Sequence, residues 1–201
     1  MRAVTIRPET RALADDVSRF RRGDSDASER LARTASRLAL RTAAAIVGNR
    51  EEAGDISQDV AVDVLRSLHR LREPEAFEGW VHRITVRHAL RSLRRRRATN
   101  ARETPLALLA ELDEPTTAGA TDLSSLLAVR VGLAAALAEL PPKQRIALAL
   151  RYVHDLPDSE IAAALRCRPG TVPALLSRGR AALRGHSQLA EFAPATTGGP
   201  G

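Results

Sequence analysis

The sequence predicts an all-α protein of two small helical domains joined by a flexible linker, the second with a helix-turn-helix. Three observations lead there. Alanine, leucine, arginine and glutamate dominate a 201-residue chain that is 44% hydrophobic, and these residues lose little on entering a helix. Strand formers never alternate with polar residues over a strand's length, whereas apolar residues recur at spacings of three and four. Threonine, proline and glycine gather at one interior stretch where that periodicity lapses, which marks the linker.

Residues 1–11 are expected to be flexible. Helix is expected from about Ala12, with Leu13, Val17 and Phe20 as its apolar seam, until Gly23 and Asp24 break it. A long helix follows from about Ala27 to Val47, in which Leu31, Ala35, Leu38, Ala45 and Ile46 share one face. Thr42 is the single polar residue in that spacing, and Gly48-Asn49 is the stop signal. The next helix, roughly Arg50 to Leu68, turns Ala53, Ile56, Val60, Val64 and Leu65 inward and leaves Asp55, Gln58, Asp59 and Asp63 largely outside. An acidic face on a basic protein suits a basic protein partner better than DNA, although an ordinary solvated face has the same pattern.

A polar connection, His69 to Glu78, contains Pro74 and leads into a helix from Trp80 to about Arg97. This helix carries arginines 83, 87, 91, 94, 95, 96 and 97 without an acid, above Trp80, Val81, Ile84, Ala89, Leu90 and Leu93. One-sided charge on a foldable helix reads as a nucleic-acid surface. Phe77 and Trp80 at its entrance could stack on an unstacked base; core packing is the competing reading for a chain with five aromatic residues.

Residues 98–122 form the expected linker, between domains at 12–97 and 123–187. In the second domain a helix in SSLLAVRVGLAAALAEL ends at Pro141-Pro142, another runs from Lys143 to Val153, and a helix pair follows from Leu156 to Arg184. Asp155 with Asp158 suggests a capping-box-like start to the first of the pair, with Pro157 in its first turn. Ile161, Ala162 and Leu165, then Val172, Leu175, Leu176 and Leu183, supply the apolar faces. Arg166, Arg168, Arg178, Arg180 and Arg184 follow Glu160 with no acid among them, a surface that draws phosphate. Two packed helices with a solvated basic face are the plainer alternative.

The formal charge is +7, and Lys143 is the only lysine among 31 basic residues. Arginine's planar fork suits phosphates and base edges, though codon bias produces the same preference. Cys167 is the only cysteine, which leaves no internal disulfide and no thiolate cluster. His69, His82, His88, His154 and His186 show no paired ligand spacing, so no metal or other cofactor is expected. No phosphate-binding loop or hydrolase constellation is visible. Neither a secretory signal nor a membrane-length apolar run is found, so a cytoplasmic protein without membrane insertion is expected.

In order, the two halves resemble the extracytoplasmic-function group of bacterial sigma-70 family RNA polymerase sigma factors. The first resembles their core-binding and melting domain through GNREEAGDISQDVAVDVLRSLHRL and FEGWVHRITVRHALRSLRRRR. The second resembles their promoter-binding domain through LAAALAELPPKQRIALALRYVHDLPDSEIAAALRCRPGTVPALLSRGRAALR. The resemblance implies core RNA polymerase and promoter DNA as partners, an anti-sigma factor as a candidate third, and transcription initiation without catalysis. It implies polymerase binding through Asp55, Gln58 and Asp59, with Asp59 where glutamate is commoner. DNA contacts are implied at Arg83, Arg87, Arg91 and Arg94, and in the second domain at Arg166, Arg168, Thr171, Arg178 and Arg180. The loop from His69 to Gly79, with Phe77 and Trp80, falls where the family captures an extruded base.

The recognition helix departs from the family pattern. Arg168 replaces a capping serine, and Pro173-Ala174-Leu175 replaces a lysine-serine-arginine run. A helix beginning at Pro169 would hold Pro173 in its interior, without a donor and against a preceding carbonyl. The expected start is therefore about three residues later, with Thr171 as N-cap and Pro173 in the first turn. Two rivals remain from sequence: a stand-alone helix-turn-helix regulator, and a sigma-like protein that binds polymerase or an anti-sigma factor without efficient initiation.

Overall fold

The computed structural model describes residues 8–99 and 132–186. Most of the expected linker and the first residues of the second domain lie outside them, as do residues 1–7 and the tail beyond His186. Among the described residues every regular element is helical, as expected.

Helix α1 (Pro8–Phe20) begins earlier than expected, on a proline whose missing N–H is no loss at a first helical position. Helix α2 (Ser25–Val47) starts where the Asp24 carboxylate accepts from the Ala27 amide at 3.0 Å, and stops at Gly48, whose φ of 69° is left-handed. Asn49 caps α3 (Arg50–Ser67) by accepting from the Glu52 amide at 2.8 Å. The expected polar connection contains two short 3-10 turns, Leu68–Arg70 and Pro74–Ala76. Helix α4 (Phe77–Thr99) starts three residues before Trp80 and takes in the first residues assigned to the linker.

The second half holds α5 (residues 132–139), α6 (Pro142–His154), α7 (Asp158–Leu165) and, after a 3-10 turn at Pro169–Thr171, α8 (Val172–Arg184). The capping expectation at α7 is corrected. Asp155 ends α6 in the left-handed region at φ 50°, its amide bonded to Leu150, and the α7 N-terminus makes no side-chain cap bond. Asp158 instead pairs with Arg151, one helix back.

Helix α2 is the spine. Leu31, Ala35, Ala39, Ala43 and Ile46 are completely buried, and α1, α3, α4 and α6 all pack on it. Alanine on the buried face lets several backbones approach one helix closely. Helix α4 is covered on two sides, by α2 and α3 and by α7 of the second half. His82, Thr85 and Val86 are buried although they lie off the apolar stripe seen in sequence, His82 against Thr42 of α2 and His154 of α6. The two halves therefore share one continuous core, running from Val17 and Leu31 to Ile146, Ile161 and Leu176.

Arg145 stitches that junction. Its side chain, 6% exposed, donates to the Ile46 carbonyl at 2.7 Å, the Leu140 carbonyl at 3.2 Å and the Ala138 carbonyl. These oxygens lie at the C-terminal ends of α2 and α5, where a helix leaves its last carbonyls without internal partners. Replacing Arg145 with alanine strands them in a buried site and should lower the stability of the whole chain by about 2–4 kcal/mol. Chemical denaturation of R145A checks this; a loss below 0.5 kcal/mol (about the level of a neutral surface change) contradicts the assigned role.

Candidate nucleic-acid interface

The basic surface rests on the continuity of α4. Arg83, Arg87, Arg91 and Arg94 follow one another at spacings of four, four and three, which on an unbroken helix puts them on one stripe. Arg87, Arg91 and Arg94 are exposed and Arg83 is partly buried.

Helix α3 holds this helix through its own acids. Asp63 takes His88 Nε2 at 2.9 Å and Arg87 Nη2 at 3.3 Å, while Glu52 takes Arg96 Nη1 at 3.1 Å and the Ser92 hydroxyl. His88 thus has a structural role. Its hydrogen bond, followed by its charge and that of Arg87, overcomes the effect of burial and draws the Asp63 carboxyl below its ordinary value. Arg87 belongs both to this staple and to the outward stripe.

The acidic face is open to solvent. Asp55, Gln58 and Asp59 are all exposed on α3. Asp55 and Asp59 share with Arg91 and Arg95 a groove of about 250 Å³ between α3 and α4. The acids expected to meet polymerase and an arginine expected to meet DNA are therefore on opposite lips of one cleft.

Phe77 requires a correction. At 1% exposure it is among the largest fully buried side chains, so its ring is core and offers no platform for a base. Trp80 packs beside it, ring centres 6.5 Å apart and tilted by 51°, but remains only partly buried.

In the second half, Arg166, Arg168, Thr171, Arg178 and Arg180 are all exposed around α7 and α8. Helix α8 begins at Val172 and places Pro173 in its first turn, as the displaced start requires. Thr171, however, is not a side-chain cap: its backbone is helical and its hydroxyl makes no capping bond. Val172, Leu176 and Gly179 are the buried residues of α8, and a Cβ at Gly179 would stand 2.9 Å from the Leu148 side chain of α6. Leu175 packs against the core, leaving Pro173, Ala174, Ser177, Arg178 and Arg180 exposed. Arg180 reaches the exposed Tyr152 hydroxyl on α6 at 3.3 Å, a neighbour the sequence does not reveal because 28 residues separate the two.

Comparison with known proteins matches residues 31–99 to Sigma-70 region 2 and residues 130–183 to Sigma-70, region 4, together more than half of the chain. The chain is also 36% identical over 150 residues to the ECF RNA polymerase sigma factor SigE of Mycolicibacterium smegmatis. The chain belongs to the extracytoplasmic-function sigma-70 family. The SigE match covers 74% of this chain and 55% of that relative's length. The RNA polymerase sigma-H factor of Pseudomonas aeruginosa is 27% identical over 177 residues, 83% of this chain and 89% of that one. Two solved structures share the fold of this sigma-70 family member at a TM-score of 0.60 and 21% identity. They are the sigma factor RpoE in complex with the anti-sigma factor NepR from Bartonella quintana, covering 79% of this chain and 94% of that one, and CnrH in complex with the cytosolic domain of CnrY, covering 91% and 99%.

The Asp63–His88 contact gives a direct check on the α3–α4 staple. In an NMR pH titration the Asp63 carboxyl should titrate below 3.8, the ordinary value, and His88→Ala should move it back towards that value. The contact stabilises the fold above the ordinary value and is lost as pH falls through the lowered one. An Asp63 titration unchanged by H88A would mean that the histidine does not hold the carboxylate.

Proposed function

We propose that this protein is a sigma factor that directs core RNA polymerase to selected promoters and assists DNA opening during transcription initiation. One observation carries the reading: a single chain presents an acidic face on α3 beside an arginine stripe on α4, followed by a separate basic helix-turn-helix, in the order of regions 2 and 4. A stand-alone regulator has no need of the first of these surfaces.

In this reading residues 12–97 bind polymerase and the downstream promoter, 98–122 link, and 123–187 bind the upstream promoter. Asp55, Gln58 and Asp59 contact the polymerase core. Arg83, Arg87, Arg91 and Arg94 follow the phosphates of the melted strand, and Trp80 stands at the entrance where an unstacked base is received. Arg166, Arg168, Thr171, Arg178 and Arg180 face the upstream duplex. With Pro173, Ala174 and the inward Leu175 on α8, that domain has more to hold phosphates with than to read bases with. The free energy for opening comes from binding the single-stranded state, without a catalysed reaction or cofactor. The protein works in the cytoplasm. An anti-sigma factor is proposed as a further partner because one fold neighbour, the sigma factor RpoE, is in complex with the anti-sigma factor NepR. Among the described residues no helix is long and apolar enough to cross a membrane.

Purified protein and core polymerase should form a complex that initiates specifically on a subset of candidate promoters. Asp55→Arg with Asp59→Arg should weaken core binding by about tenfold or more, as expected for charge reversal at a complementary surface. Arg87→Ala with Arg91→Ala should leave core binding intact and impair opening, flattening the salt dependence of single-strand binding by about 0.7 in log–log slope per lost contact. Failure to bind core polymerase rejects the assignment; binding without initiation on any promoter favours a sigma-like interaction protein.

A further inference from the structure

The junction between the halves contains a polar cluster that the proposed function does not use. The Thr42 hydroxyl on α2 donates to the Leu38 carbonyl at 2.8 Å, which commits its only proton. The same oxygen lies 3.1 Å from His82 Nδ1 on α4 and 2.8 Å from His154 Nε2 on α6. It can only accept from both rings. His82 therefore donates from Nδ1 and His154 from Nε2, with ring centres 4.2 Å apart.

We propose that Thr42, His82 and His154 form an acid-released latch that holds the second half of the protein against the first. The cluster joins residues 112 positions apart at the α2–α6 junction. Thr42 is completely buried and His82 is 2% exposed, whereas the His154 ring is partly open to solvent. Protonating either ring puts a cation against the other. Arg41 of α2 is the charged group acting on His154, and His154 is the one acting on His82. From α7, Glu160 comes up against Gly79, three residues before His82. Burial, then His154, takes His82 to about 3; burial, then Arg41, takes His154 to about 4.

The sign follows from where the two states take up protons. With the halves apart, both rings return towards the ordinary value of 6.5 and bind protons more readily than in the closed form. Closure is fully favoured above 6.5, weakens as pH falls below it, and levels off near the closed-state values of about 4 and 3. Between pH ~7.5 and ~5.5 each histidine should lower the closing equilibrium by about tenfold, and the pair by about a hundredfold.

The test needs neither polymerase nor promoter, so it can fail without touching the proposed function, and the reverse. In the full chain with Cys167→Ser, spin labels at Val62→Cys and Tyr152→Cys, both exposed positions on opposite halves, report the separation by pulsed electron resonance. One short distance is expected at pH ~7.5 and a growing population of longer ones by pH ~5.5, with helical circular dichroism unchanged. His82→Asn with His154→Gln retains an amide donor near each nitrogen but cannot titrate, and should stay closed at both values. Thr42→Val removes the shared acceptor and should open the halves at the higher pH. A pH-independent distance, a response that persists in H82N/H154Q, or separation accompanied by loss of helix overturns the latch.

Discussion

Close packing on α2 is the constraint from which the rest of the architecture follows. Side chains no larger than a methyl group at Ala35, Ala39, Ala43 and Ala44 allow neighbouring helices to approach its backbone, and interiors at this density leave little room for extra atoms. The buried face of α2 is taken up in placing α1, α3, α4 and α6, and the candidate recognition surfaces lie on helices it supports.

A helix with so many small neighbours gains little from each side chain, and direction has to come from polar contacts. Two such contacts lie along α2. Arg145 meets the Ile46 carbonyl near its C-terminus and His154 meets Thr42 about one turn earlier, so α6 is fixed at both ends. Elsewhere the basic α4 is oriented by acids of α3 rather than by apolar pattern alone. Part of the positive charge that looks available in sequence is thereby balanced within the fold, Arg87 of the outward stripe included.

Much of this was legible from local rules. Gly48 and Asn49 marked the α2–α3 boundary because left-handed φ and side-chain capping depend on neighbours in sequence, and Pro173 forced the late start of α8 for the same reason. The failures were non-local or rested on competing local solutions. Asp155 looked like a cap but was needed to turn the chain out of α6. Thr171 is the last residue of a 3-10 turn, and its helical backbone takes it out of the capping conformation. Phe77 was read as an open ring but is buried, and His82 is covered by Thr42 of α2 and His154 of α6, neighbours that no period along α4 can reveal. Thr42 did stand out as the lone polar residue on its face, but its partners are 40 and 112 residues away.

Arg166 ends α7 at φ 51°. A side chain in the left-handed region costs roughly 1–2 kcal/mol, which glycine would avoid. The amides of Arg166 and Cys167 fold back onto the carbonyls of Ala163 and Ala162, at 3.4 and 3.0 Å, and hold the bend. The corner of the helix-turn-helix is thus kept under torsion while bearing a guanidinium, and substitution by glycine separates two quantities that usually move together: the chain would relax as its charge is lost.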